Sequence, residues 1–253
     1  MKTICRLALA AILVLGLSSV VRAQTEITLV TMAGIRPPLD ELLPRFEQKT
    51  GIKVKLVLGG VAPTANHVIK GDPFDLAILL APDSEALNSS NVVPTSAVTI
   101  ASLAVGAGVA HGTPKPDLST PDAAKRSLLA AKSLSYADPA GLSAAGTSFA
   151  GTLKKLGIVD QVQPKVKLAK GGQVMPAVLK GDAEIGFVFY NEIHEEGIDL
   201  VGELPAQISP RLRLVALISS HSANAAAAKA LEQFLSSPEA QAVYKAQRME
   251  PAS

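Results

Sequence analysis

The chain has 253 residues, with 24 Lys and Arg against 22 Asp and Glu and a formal net charge of +2. A balance this even, without basic runs interleaved with aromatics, excludes a nucleic-acid footprint. Hydrophobic residues make up 48%, yet there is no Trp and only three Tyr and six Phe, so few aromatic faces remain for stacking sugars or nucleobases.

At the amino terminus, Lys2 and Arg6 precede an apolar run from Leu7 to Leu17, and a polar stretch ends in Val21-Arg22-Ala23. A charged start, an apolar run short for a bilayer and small residues before a cut read as a secretory signal over residues 1–23. Cleavage after Ala23 predicts a periplasmic protein and removes Lys2, Arg6 and Arg22, which erases the positive excess. Cys5, the single cysteine, leaves as well, excluding cysteine metal sites and thiol catalysis in the exported chain.

Apolar runs of strand length then alternate with amphipathic stretches of helix length, the pattern of repeated β-α units and a largely parallel sheet. Ile27 to Thr31 reads as a strand, Met32 to Pro37 as a turn, and Pro38 to Thr50 as a helix with Leu39, Leu42, Leu43 and Phe46 on one face. Prolines at its start and Gly51 at its end are where helices accept them. Ile52 to Leu58 is a second strand, Gly59-Gly60 opens a helix through Lys70, and Leu76 to Leu80 is a third strand. Farther on, Ser133 to Ala137 is a strand, followed by a loop from Asp138 to Gly146 that feeds a helix through Leu156. Val166 to Ala169 is a strand, Gly171 to Val174 opens a helix, and Ile185 to Phe189 is a strand. Arg211 to Ile218 alternates as a strand, and Asn224 to Arg248 reads as a helix broken near Pro238.

Four of these loops share one design: each follows a strand, is rich in glycine or small residues, and starts a helix whose first N–H groups lack partners. Such loops hold anions at the carboxyl edge of a sheet. Their occurrence in two separated blocks predicts two lobes facing a ligand cleft. Lobe 1 is expected over 24–104 and 214–253 and lobe 2 over 105–213, with crossings near Leu103 to Val105 and near Leu212 to Val215.

The order of Phe46 to Val54, Lys70 to Ile78, Ala137 to Ala140, Val174 to Val188 and Ala230 to Tyr244 resembles the periplasmic molybdate-binding proteins. That resemblance implies an α/β type II periplasmic binding protein fold, with mainly parallel central sheets joined by a two-strand hinge. It also implies a monomer that delivers a small anionic ligand to the membrane permease of an ABC importer. Where the family has serines after the first and second strands, this chain has Gly34 and Gly60 or Val61, and its tyrosine position is Phe189, beside Tyr190. The expected ligand-binding set is therefore Gly34, Arg36, Gly60, Val61, Ser143, Ala144, Ala145, Val174, Phe189 and Tyr190, working mainly through backbone N–H groups.

Arg36 can grip a carboxylate with two hydrogen bonds, which points to an organic acid, or it can pair with Asp40 one turn on. Ser143 can serve a ligand or merely cap its helix, and Thr64 and Asn66 can face cleft or solvent. Gly141 to Gly146 has the wrong spacing for a nucleophile elbow. His67, His111, His194 and His221 lie in separate segments without metal-ligand spacing. The sequence thus predicts a binding protein without cofactor, metal or catalysis, its ligand a molybdate-like oxyanion or an organic carboxylate. A secreted α/β enzyme acting on a small anion, or a ligand sensor, is the alternative.

Overall fold

A computed structural model describes residues 24–81, 84–141 and 143–252, so the signal segment read over 1–23 lies outside the described residues. In chain order the elements are β1 Glu26–Met32, α1 Arg36–Thr50, β2 Lys53–Gly59, α2 Val61–Lys70, β3 Leu76–Leu80, α3 Ser84–Leu87 and β4 Val98–Leu103. Then come β5 Val105–Ala110, α4 Pro121–Ala130, β6 Leu134–Ala137, α5 Ala144–Leu156, α6 Val159–Val162, β7 Val166–Ala169, α7 Val174–Leu179 and β8 Ile185–Phe189. The chain finishes with β9 Ile198–Glu203, β10 Leu212–Ile218, α8 Ala225–Leu235, α9 Pro238–Ala246 and β11 Glu250–Pro251.

The strands form two sheets, ordered β11-β4-β10-β3-β1-β2 and β7-β6-β8-β5-β9. The α/β type II binding-protein architecture is as expected, but both sheets are mixed. β1 pairs in parallel with β2 and β3, and β6 with β7 and β8, whereas β10 and β5 run against their neighbours. The passage of the chain between sheets dictates this. β4 runs into the second sheet through Ala104, so β5 must start at the shared edge and head away from it. β9 returns to that edge, and residues 204–211 carry the chain into β10, which heads away in turn. Since Leu212 already pairs with Leu103 in the first sheet, this second passage precedes the segment Leu212 to Val215.

Local sequence explains the helices that flank the sheets. α1 begins with Pro37 and Pro38, whose missing N–H groups are no loss in a first turn, and buries Leu39, Leu42, Leu43 and Phe46. It stops at Gly51, whose φ of 73° suits the left-handed cap. Thr120, Ser143 and Ser237 each cap a helix by accepting from the N–H three residues on. In the second sheet's core, Phe149 stacks on Phe187 with centroids 3.9 Å apart, and Tyr136 meets Phe149 edge-on at 5.0 Å. The few aromatics of this chain are therefore concentrated in packing. Tyr244, fully buried under the first sheet, donates to the Leu235 carbonyl at 3.1 Å, and burial raises its phenol pKa.

Candidate functional site

β1, β2, β6, β7 and β8 all end at one edge, and between these ends lies a cavity of about 590 Å³. The first sheet contributes Met32 to Gly34 and Gly59 to Val61. The second contributes Ala137 and Asp138, Ser143 to Ala145, Ala169 to Gly172, Val174, and Val188, Phe189 and Glu192. All four loops singled out by their glycine-rich design meet here. A wider depression of about 810 Å³ shares Val61, Ser143 and Ala144 but runs outward along α5 toward Lys155 and Leu212. It touches neither the end of β1 nor that of β7, so the smaller cavity is the one framed by strand ends.

The helix starts at α2 and α5 present first-turn N–H groups that no intrahelical carbonyl reaches. At α5 this requires Gly146. A methyl group there would sit 1.9 Å from the Ala137 carbonyl oxygen, so only glycine lets the helix start close onto the end of β6. Ser143 Oγ accepts from Gly146 N at 3.1 Å. The cap uses a lone pair and leaves the hydroxyl hydrogen free to donate into the cavity. Lys170, exposed directly after β7, adds a full positive charge to the lining.

Eight of the ten expected residues line this cavity: Gly34, Gly60, Val61, Ser143, Ala144, Ala145, Val174 and Phe189. Arg36 does not. Its guanidinium lies on the surface, Nε donating to Asp40 Oδ2 at 3.2 Å, as an i, i+4 pair at a helix start favours. Tyr190 is also outside, because its ring packs on Gly106, where a Cβ would come within 2.4 Å of Cδ2. Thr64 is buried and bonds to the Gly60 carbonyl at 2.7 Å. Among the described residues no cluster of three His, Cys, Asp or Glu is placed to hold a metal.

Three charged lining residues, Asp138, Lys170 and Glu192, were not among the expected site residues. Glu192 ends the 3-10 turn Tyr190–Glu192 that follows β8. Its Oε1 lies 2.5 Å from where a Cβ on Gly34 would be, so the glycine makes room for the carboxyl. The turn is braced from the first sheet's side. Asn191 Nδ2 donates to the Gly34 carbonyl at 3.1 Å, while Arg248 donates to the carbonyls of Tyr190 at 3.3 Å and Ile193 at 2.5 Å. Arg248 also lies over the Tyr190 ring at 5.7 Å, in a left-handed backbone conformation with φ of 58° that arginine rarely adopts.

The Glu192 carboxyl is pushed up to about 7, mainly by burial and secondarily by the nearby Glu195 charge. Water still reaches the residue, which counts as exposed by surface area. The two facts describe a cleft, where protein crowds the carboxyl from both sheets without sealing it. A carboxyl whose folded pKa is raised stabilises the fold fully below its unfolded value near 4.5 and loses that contribution as pH rises through 7. Glu192→Gln should therefore melt like the parent at pH 4 and progressively above it from pH 5 to 8. Parallel melting curves across that range would contradict the raised pKa.

Residues 27–249 match the family described as bacterial extracellular solute-binding protein. An aconitate isomerase from Pseudomonas sp is 30% identical over 244 residues, covering 92% of this chain and 91% of that protein. A molybdate-binding protein of Azotobacter vinelandii is 28% identical, covering 91% and 92%. Among solved structures, a substrate-binding domain from Clostridium difficile assigned to a molybdenum ABC transporter superposes with a TM-score of 0.79 at 17% identity, covering 90% of this chain and 100% of that one. The sulfate-binding protein of Mycobacterium tuberculosis gives 0.66 at 20%, covering 90% and 88%. The expectation of a protein without catalysis is overturned by the first relative, which is an enzyme. Scanning for a nucleophile, base and orienting group could not detect that class, since moving a proton needs no such trio. By fold, cavity and sequence together, this chain belongs to the bacterial extracellular solute-binding protein family.

Proposed function

We propose that this protein acts in the periplasm on a small organic polycarboxylate of the aconitate class, bound in the cleft and interconverted between its isomers. The observation carrying this reading is the composition of the cavity: unpaired N–H groups at two helix starts and Lys170, together with an unpaired acid, Glu192. N–H groups and an ammonium favour carboxylates. Interconverting the isomers of an unsaturated tricarboxylate needs, besides carboxylate anchors, a group that takes a proton from carbon and returns it. The relative that isomerises aconitate supports the same class. At about 590 Å³ the cavity also suits a branched acid, whereas a five-atom oxyanion would leave most of it to water.

The molybdate-binding relatives favour a second reading, capture of a tetrahedral oxyanion for an ABC permease. Gly34, Gly60 and Phe189 speak against it, since they supply no hydroxyl where the oxyanion would be held. A thermal-shift panel of cis- and trans-aconitate, citrate, succinate, molybdate, tungstate, sulfate and phosphate separates the two. A shift of several degrees with the tricarboxylates alone is expected. A selective response to molybdate or tungstate would establish the second reading in its place.

A further inference from the structure

Among the described residues, three titratable side chains line the cavity: Asp138, Lys170 and Glu192. Asp138 is committed to its own turn, with Oδ1 accepting from Ala140 N at 2.9 Å. Lys170 is the cation that an anionic ligand would neutralise. Glu192 takes part in none of the ion pairs among the described residues. It nevertheless sits on a turn fixed from the first sheet's side, by Asn191 to the Gly34 carbonyl and by Arg248 to the carbonyls of Tyr190 and Ile193. A carboxyl presented to a ligand cavity by such an anchored turn, without a partner of its own, is a group held in place for a reacting atom rather than for stability.

We propose that the Glu192 carboxylate is the proton-transfer group of this cavity, removing a proton from the methylene carbon of the bound tricarboxylate and returning it at the other end of the allyl system. The inference rests on the isomerase reading above. In the step, the carboxylate takes the methylene proton and the C–H electron pair becomes the new double bond to the central carbon. The old double-bond pair then collects the proton from the Glu192 carboxylic acid at the far carbon. The acid ends as it began, atoms balance, and no oxidant or cofactor is required. Negative charge spreads onto the substrate carboxylates as the C–H bond breaks, and there the helix-start N–H groups and the Lys170 ammonium stabilise it.

Charged groups on several segments stand in or beside the cavity that Glu192 lines. Asp138 after β6 and Lys170 after β7 share its cavity, Glu195 on its own segment is the charge that acts on it, and Arg248 after α9 meets His194 beside its turn. Burial first, and the Glu195 charge second, raise the carboxyl toward the neutral range, where a group can take a proton and return it.

The experiment compares the full chain with its Glu192→Gln and Glu192→Asp forms. It follows conversion of cis- to trans-aconitate from pH 5 to 9 and binding of each acid by calorimetry. Expected are binding within about threefold of the parent for Glu192→Gln and a kcat reduced by about 100-fold or more. Glu192→Asp should retain part of the rate, and the parent's kcat should climb to a plateau above pH 7 that Glu192→Gln lacks. If the parent isomerises and Glu192→Gln keeps more than a third of its kcat, Glu192 is a bystander and the proposal falls while the isomerase reading stands. If the parent binds the acids but converts neither, the isomerase reading itself fails and takes the proposal with it.

Discussion

Gly146→Ala is expected to destabilise the fold by at least about 3 kcal/mol, the upper part of the range for overpacking a tight site. The added methyl would lie 1.9 Å from the Ala137 carbonyl oxygen and 2.9 Å from its carbon. Backbone cannot swing aside as a side-chain end can, so α5 must lift from the end of β6. The melting midpoint should fall by roughly 6–12 °C for a chain of this length. Gly151→Ala, in the same helix but with nothing within 4 Å of its new Cβ, is the control. It should be neutral or more stable by about 0.5–1 kcal/mol. Because α5 also presents Ser143 to Ala145 to the cavity, Gly146→Ala should weaken ligand binding as well, and Gly151→Ala should not. Equal melting points for the two variants would show that the contact at Gly146 is looser than the structure gives.

The second large effect is on affinity. Lys170→Ala should weaken trans-aconitate binding by about 10- to 150-fold, the equivalent of the ~1.5–3 kcal/mol of a hydrogen bond to a charged group. The remaining binding should lose much of its salt dependence, because helix-start N–H groups carry only partial charges. Arg36→Ala should leave affinity within about twofold, since that guanidinium faces Asp40 and solvent. Calorimetry at two salt concentrations checks both. A large loss with Arg36→Ala and none with Lys170→Ala would move the anion-binding cation to the α1 start.

The contrast between these two cations shows what was legible in the sequence. Arg36 stood out because it follows a glycine-rich loop, yet Asp40 one turn later claims its side chain on the surface. Nothing adjacent in sequence marks Lys170, and the pairing of β6 with β7 brings it to the same edge as Ser143. Apolar runs and their glycine and proline boundaries located β1, β2, β3, β6, β7, β8 and β10 and the helices α1, α2, α5, α7, α8 and α9, whereas β4, α4 and the short α3 and α6 were not read as elements. Of the strands that run against their neighbours, β10 was legible and β5 and β9 were not. β9 interrupts its apolar run with Asp199, Gly202 and Glu203, and β5 is built from small residues, Gly106 and Gly108 among them, that make room for Tyr190 and Met175.

The four loops could be read one by one, since strand, glycine and helix start are adjacent in sequence. Glu192 could not. It reaches the cavity through a turn whose neighbour Asn191 bonds to Gly34 across 157 residues of chain. Its proximity to Gly34 is a tertiary fact, and the glycine there, which looked like the loss of a ligand hydroxyl, is also the space the carboxyl occupies.

The most direct measurement is to incubate the wild-type protein with cis-aconitate at pH 8 and follow the vinyl and methylene protons by NMR. Substoichiometric protein should bring the sample to the same cis–trans mixture from either pure isomer, and catalysis should be competitively slowed by a non-isomerisable tricarboxylate such as citrate. Spectra of both isomers left unchanged by folded protein in amounts equal to substrate would contradict the account.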